Sequence, residues 1–138
     1  MRIGLQIHTE AASWDEAASL ARHADALGYE SIWSADHLYA SGDDPHEPMF
    51  EGWLAATAWA ALTVRARIGV LVSANPLRHP ALLAKMAVTL DHVSGGRALL
   101  GVGGGWMQRE FDDHGIDGGA DDQIRLERLD EALAILKP

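Results

Sequence analysis

RIGVLVSANPLRHPALLAKMAVTLDHVSGGRALLGVGGG, residues 67–105, contains a complete strand–helix–strand passage. Its opening, Ile68-Gly69-Val70-Leu71-Val72, is a continuous apolar run, the pattern of a parallel strand covered on both faces. Pro80 stands where a helix should begin, a position whose N–H has no intrahelical partner anyway, and a helix is predicted through Ala81–His92. Ser94-Gly95-Gly96 turns the chain, and Arg97–Val102 reads as the next strand, ending on Gly103-Gly104-Gly105.

The same rhythm extends in both directions. Ile3, Leu5 and Ile7 alternate with Gly4, Gln6 and His8, which suits a strand. Ser13-Trp14-Asp15-Glu16 has the form of a capping box. The helix that follows places Ala17, Leu20, Ala21, Ala24 and Leu27 on one face and stops at Gly28. Ser31–Ala35 is a second strand. A polar loop from Asp36 to Glu51 follows, longer than the usual 2–6 residues of such a connection, and then an Ala-rich helix over Trp53–Thr63. Beyond the glycine triplet the sequence predicts another polar loop and a last helix over Asp122–Leu136, its start favoured by Asp121 and Asp122.

The strands begin near residues 2, 31, 67 and 97, a spacing of roughly 30 that corresponds to one βα unit each. Right-handed crossovers between them give a parallel sheet. No linker or low-complexity tract interrupts the pattern, so residues 1–138 are expected to form a single domain. Four such units suit either part of a barrel or a small doubly wound sheet. Gly101-Val102-Gly103 begins a dinucleotide fingerprint, but the third glycine falls on Trp106, and no Walker A lysine follows. A (β/α)8 barrel takes about 250 residues, and this chain stops near half of that.

Composition narrows the function classes. The formal net charge is -9, and no Lys/Arg cluster is present to neutralise phosphates, which argues against a nucleic-acid surface. No stretch approaches the roughly 18 apolar residues of a membrane helix, and the N-terminus shows no signal-peptide pattern, so a cytoplasmic protein is expected. The chain has no cysteine, which removes disulfides, thiolate nucleophiles and Cys-ligated metals. His46 and Glu47 have no third ligand beside them, so no metal site is expected.

Chemistry-bearing residues collect at strand ends. Asp36 and His37 close the second strand, and histidine exchanges a proton near neutral pH. From position alone, Asp36 either caps the loop or serves a site, and His37 either is merely exposed or acts in one. The glycines at 103–105 either turn the chain or admit a flat ligand to the backbone. Trp106 suits a ring contact or the core equally. Arg78 and His79 read as structural, His79 as a cap beside Pro80. Arg97 is expected to pair with an acid such as Asp91. Trp14, Trp33, Trp53 and Trp59 are expected in the core or an interface.

The run from Arg78-His79-Pro80-Ala81-Leu82-Leu83-Ala84-Lys85-Met86 through Leu90-Asp91-His92-Val93-Ser94-Gly95-Gly96-Arg97 to Leu100-Gly101-Val102-Gly103-Gly104-Gly105-Trp106 resembles the luciferase-like monooxygenase superfamily, most closely its F420-dependent oxidoreductase branch. Ser34-Ala35-Asp36-His37 and Thr63-Val64-Arg65-Ala66-Arg67-Ile68-Gly69 carry the resemblance further. Asp117–Gln123 is Gly/Asp-rich and lacks the proline-containing segment often found there.

The resemblance implies an α/β fold of four βα units, forming the N-terminal half of a (β/α)8 TIM barrel. It implies hydride transfer to or from coenzyme F420 on a small organic substrate, with an FMN-dependent monooxygenase or a non-catalytic half-barrel as the alternatives. By the same resemblance, His37 is the catalytic acid or base and Asp36 helps to hold the cofactor. Leu71, Val72 and Ser73 mark a bulge, with a non-proline cis peptide between Leu71 and Val72, that supports the ring. Gly103, Gly104, Gly105 and Trp106 border the ring. Some sugar-phosphate members of the family carry a carboxylate at the Trp106 position, so that substrate class is disfavoured. The phosphate site of such barrels follows strands seven and eight, which this sequence lacks. Either the sequence is a truncated piece of a longer chain, or a homo-oligomer or a C-terminal half-barrel partner is expected to complete the barrel.

Overall fold

The computed structural model describes residues 2–40, 44 and 47–137. His46 lies outside them. The elements are β1 (Gly4–Gln6), α1 (Trp14–Leu27), β2 (Ser31–Ser34), α2 (Gly52–Leu62), β3 (Arg67–Ala74), a 3-10 turn (Asn75–Leu77), α3 (Pro80–Ser94), β4 (Ala98–Gly103), α4 (Gln108–His114) and α5 (Asp122–Leu136).

The strands form one parallel sheet in the order β1-β2-β3-β4. Strand order follows chain order without reversal, so there is no topological switch point, which separates this sheet from a doubly wound one. Ile32, Ile68 and Val70 face the helices and pack with Ala17, Ala21, Ala24, Trp53, Ala56, Trp59, Leu83 and Leu90. The small residues of α1 and α2 allow the helices to lie close to the sheet. The other face carries Trp33 beside Gly69 and Leu99: a Cβ at Gly69 would meet the Trp33 ring at 2.8 Å and the Leu99 Cβ at 2.9 Å.

Local signals act where the sequence places them. Ser13 Oγ accepts from the Glu16 N–H while Glu16 accepts from the Ser13 N–H, the reciprocal capping box. His79 Nδ1 accepts from the Ala81 N–H at 3.1 Å and caps α3, with Pro80 at its first position.

Two expectations are corrected. The segment after the glycine triplet is not all loop, because Gln108–His114 forms α4. It is seven residues long and almost wholly polar, and it has no side-chain N-cap, so neither periodicity nor capping marks it. Arg97 does not pair with Asp91. Its guanidinium donates to the carbonyls of Ala60, Thr63, Ala66 and Ser94, closing the C-terminal end of α2 against the start of β3. The Asp91 carboxylate instead accepts from the Ala98 N–H. Unpaired helix-end carbonyls supply a geometrically richer acceptor set than one exposed carboxylate.

Candidate functional site

The C-terminal ends of β2, β3 and β4 enclose a cavity of about 360 Å³, lined by His37, Leu71, Val72, Ala74, Gly103, Gly104, Gly105 and Trp106. Six of these eight lie in two consecutive stretches, Leu71–Val72 and Gly103–Trp106, at strand ends, and parallel strands bring such ends together automatically.

The β3 wall is irregular. The Leu71–Val72 peptide is cis, and the β3–β4 register shifts between Val70 and Ser73. Gln6 on β1 donates from Nε2 to the Leu71 carbonyl at 3.3 Å, so the first strand reaches across to the bulge. The β4 wall is shaped to fit it. A Cβ on Gly103 would meet a Val72 methyl at 2.7 Å, so any other residue there would force the Val72 side chain to shift. Gly105 has φ +79 and its missing Cβ would lie 2.9 Å from Phe111. Packing within the chain is therefore one reason for glycine at both positions.

Asp36 and Ser73 do not line the cavity. Asp36 is 3% exposed; it accepts from the Ala74 N–H at 2.8 Å and makes two bonds to Arg78, at 2.6 and 2.8 Å. It ties the end of β2 to the end of β3 and so holds its neighbour His37 beside the bulge. Glu51 stands 3.4 Å from the same guanidinium. Ser73 is buried on the helix side, accepting from Trp53 Nε1 at 3.0 Å.

His37 lies between two residues after β4. The Trp106 ring meets it edge-on, 5.5 Å between centroids at 75°, and is 64% exposed. Glu110 on α4 is 1% exposed, and one oxygen lies 3.1 Å from His37 Nδ1. That same oxygen accepts from the Leu38 and Tyr39 N–H groups at 2.8 and 3.2 Å. The Glu110 bond holds the His37 pKa above its ordinary value; burial opposes this, and the charges of Glu110, Asp36 and Glu10 reinforce it. Burial pushes Glu110 upward, but the bond from His37 and the two backbone donors outweigh it and leave the carboxyl below its ordinary value. An imidazole of raised basicity beside a glycine-walled cavity can give or take a proton at a bound molecule.

Glu110 and Gln6 are the members of this site that the sequence reading missed. Phe111, buried next to Glu110 among charged neighbours, was the available signal that this stretch packs inward.

Among the described residues, no group of three or more metal-binding side chains occurs, and no helix is long and apolar enough to cross a membrane.

Comparison with known proteins gives a consistent result. The luciferase-like monooxygenase family profile matches residues 1–138. The 4-hydroxyprotoasukamycin monooxygenase of Streptomyces nodosus subsp. asukaensis is 40% identical over 98 residues, 71% of this chain and 25% of that protein. An F420-dependent glucose-6-phosphate dehydrogenase of Kineococcus radiotolerans is 33% identical over 108 residues, 76% of this chain and 31% of that protein. The structure of an F420-dependent secondary alcohol dehydrogenase in complex with an F420–acetone adduct superposes with TM-score 0.87 at 23% identity, covering 99% of this chain and 41% of that one. An FMN-bound type II Baeyer–Villiger monooxygenase from Pseudomonas putida superposes at 0.78 and 24%, covering 99% and 38%. These two likenesses show the fold, four βα units of the TIM-barrel type. The chain spans about a quarter to a half of the length of the curated relatives it matches.

Proposed function

Because this chain belongs to the luciferase-like monooxygenase family, we propose that it supplies the cofactor-facing half of an oxidoreductase that transfers a hydride between coenzyme F420 and a small organic substrate. One observation carries the reading: the cavity at the strand ends joins a half-buried histidine, the bulge at Leu71–Val72 and a glycine-walled strand end.

The residues present fit a flat heteroaromatic ring. Leu71 and Val72 offer an apolar surface, and Gly103–Gly105 keep the opposite wall free of side chains. When bound, the deazaflavin or flavin ring would accept or donate the hydride. Val72 and the glycine backbone would orient it, Trp106 would shield the site from water, and His37 would hold the proton that the substrate loses or gains. Asp36 would serve the cofactor indirectly, by fixing the end of β2. Trp106 in place of a carboxylate points away from a sugar phosphate and toward a less polar substrate.

Relatives of both kinds exist, F420-dependent dehydrogenases and an FMN-bound monooxygenase. F420 is the first reading because the motif from Arg78 to Trp106 resembles the F420-dependent branch and F420-dependent relatives reach 33% identity, while a monooxygenase relative at 40% identity keeps FMN as the second. The activity belongs to a completed barrel. Within the described sheet, β1 and β4 each have one strand neighbour, leaving two edges for a C-terminal half-barrel or a second copy of the chain to pair with.

The test is a fluorescence titration of the purified protein with F420 and with FMN, with molecular mass measured in parallel. Tighter binding of F420 supports the first reading and tighter binding of FMN the second. A folded species that binds neither would overturn both. In the completed enzyme, His37→Ala should reduce kcat by about 10²–10⁴-fold, the usual size of a general acid–base contribution.

A further inference from the structure

We propose that Glu110 is a positioning residue that holds His37 in a single tautomer, with the proton on Nδ1, and thereby assigns proton exchange with the substrate to Nε2; this rests on the catalytic reading of His37 above.

An ionised carboxylate can only accept hydrogen bonds. Glu110 Oε1 already accepts from the Leu38 and Tyr39 N–H groups, so it is fixed from two directions by the backbone of the loop that carries the histidine. Its third neighbour, His37 Nδ1 at 3.1 Å, must therefore donate. A bare Nδ1 would set a ring lone pair against a buried carboxylate oxygen. Nδ1 thus keeps its proton in both charge states of the ring, and the nitrogen that titrates is Nε2. Among the described residues, Nε2 has no hydrogen-bond partner, while the ring itself lines the cavity. A histidine oriented by a carboxylate through its second nitrogen is a recurrent way of fixing both tautomer and direction.

The groups facing the ring come from three segments: Glu110 from α4, Asp36 from the end of β2, and Glu10 from the segment after β1. Asp36 is committed to Arg78, and Glu110 alone bonds the ring, so its charge is the one whose removal should be felt most. Gln at 110 keeps an acceptor for the Leu38 and Tyr39 amides but removes the charge.

The experiment is nitrogen-resolved NMR of protein with isotopically labelled histidine, read across a pH titration in the wild type and in Glu110→Gln. The wild type should show His37 neutral with Nδ1 protonated and Nε2 titrating. In Glu110→Gln, the His37 titration midpoint should move to lower pH, and the His37-dependent limb of the turnover profile of the completed enzyme should move with it. A wild-type ring carrying its neutral proton on Nε2, or a midpoint that Glu110→Gln leaves in place, overturns the proposal. The wild-type tautomer decides the matter even if the variant fails to fold. Retained turnover in His37→Ala is a separate result: it removes the catalytic role of His37, whatever the NMR shows about Glu110.

Discussion

Replacing Asp36 with Ala should unfasten the site without touching the cavity wall. The carboxylate is buried, and its partner Arg78 is only 10% exposed in its side chain. The pair is bidentate, and Asp36 Oδ2 also accepts from the Ala74 N–H. Removal of Asp36 therefore strands a buried guanidinium, whose other anion, Glu51, is 3.4 Å away and partly solvated, and also orphans a buried amide. Breaking one side of a buried pair costs about 3–5 kcal/mol. At about 4 °C per kcal/mol for a chain of 138 residues, the melting temperature should fall by about 12–20 °C. Urea unfolding of the wild type, Asp36→Ala, Arg78→Met and the double variant closes a cycle. The double variant should lose much less than the sum of the singles, since an apolar pair of similar volume tolerates burial. Cofactor affinity extrapolated to fully folded protein should weaken only modestly, because Asp36 does not line the cavity. A single-variant loss below about 1 kcal/mol with additive effects would refute this account, reducing the pair to the level of an exposed one.

Two further expectations concern the scaffold. Gly52→Ala should cost at least about 1–3 kcal/mol by urea unfolding, because its new Cβ would fall 2.1 Å from the Ala35 carbonyl oxygen and force α2 off the end of β2. Unchanged stability would contradict the close approach. Acid should weaken the fold through Glu110 and Asp25. Burial pushes Asp25 upward, but the Val64, Ala66 and Arg65 amides and the Arg65 charge leave it below its ordinary 3.8. Glu110 lies below its ordinary 4.5. Groups depressed in the folded state stabilise it fully above their ordinary values, and that contribution is lost as pH falls through the folded ones. His37, raised above 6.5, contributes in the opposite sense: fully below 6.5, and lost as pH rises through its folded value. The urea midpoint should therefore fall between about pH 5 and pH 3, with a smaller decline in Glu110→Gln. A flat profile would speak against the buried-carboxylate account.

The strands and main helices were legible in the sequence because their causes are local. The apolar run Ile68–Val72, the Ser13–Glu16 cap, Pro80 and the glycines at 28 and 95 each act within a few residues. The family motif added the strand-end cluster and the place of the cis peptide, and His37, Val72, Gly103 and Trp106 do meet around one cavity. What sequence reading could not supply was pairing at long range. Glu110 lies 73 positions from His37 on a short helix without a periodic signature, and Gln6 is 65 positions from the carbonyl it reaches. Arg97 was expected beside the nearest acid, whereas folding presents it with the open carbonyls of α2. Asp36 shows the division most clearly. The sequence placed it at a strand end, where function is common; the tertiary structure turned its carboxylate inward onto Arg78, because a buried bidentate ion pair satisfies groups that no local motif can count. The sequence alone determined which elements form and in what order. The fold decided which polar side chains those elements pair, Glu110 with His37 and Asp36 with Arg78 among them.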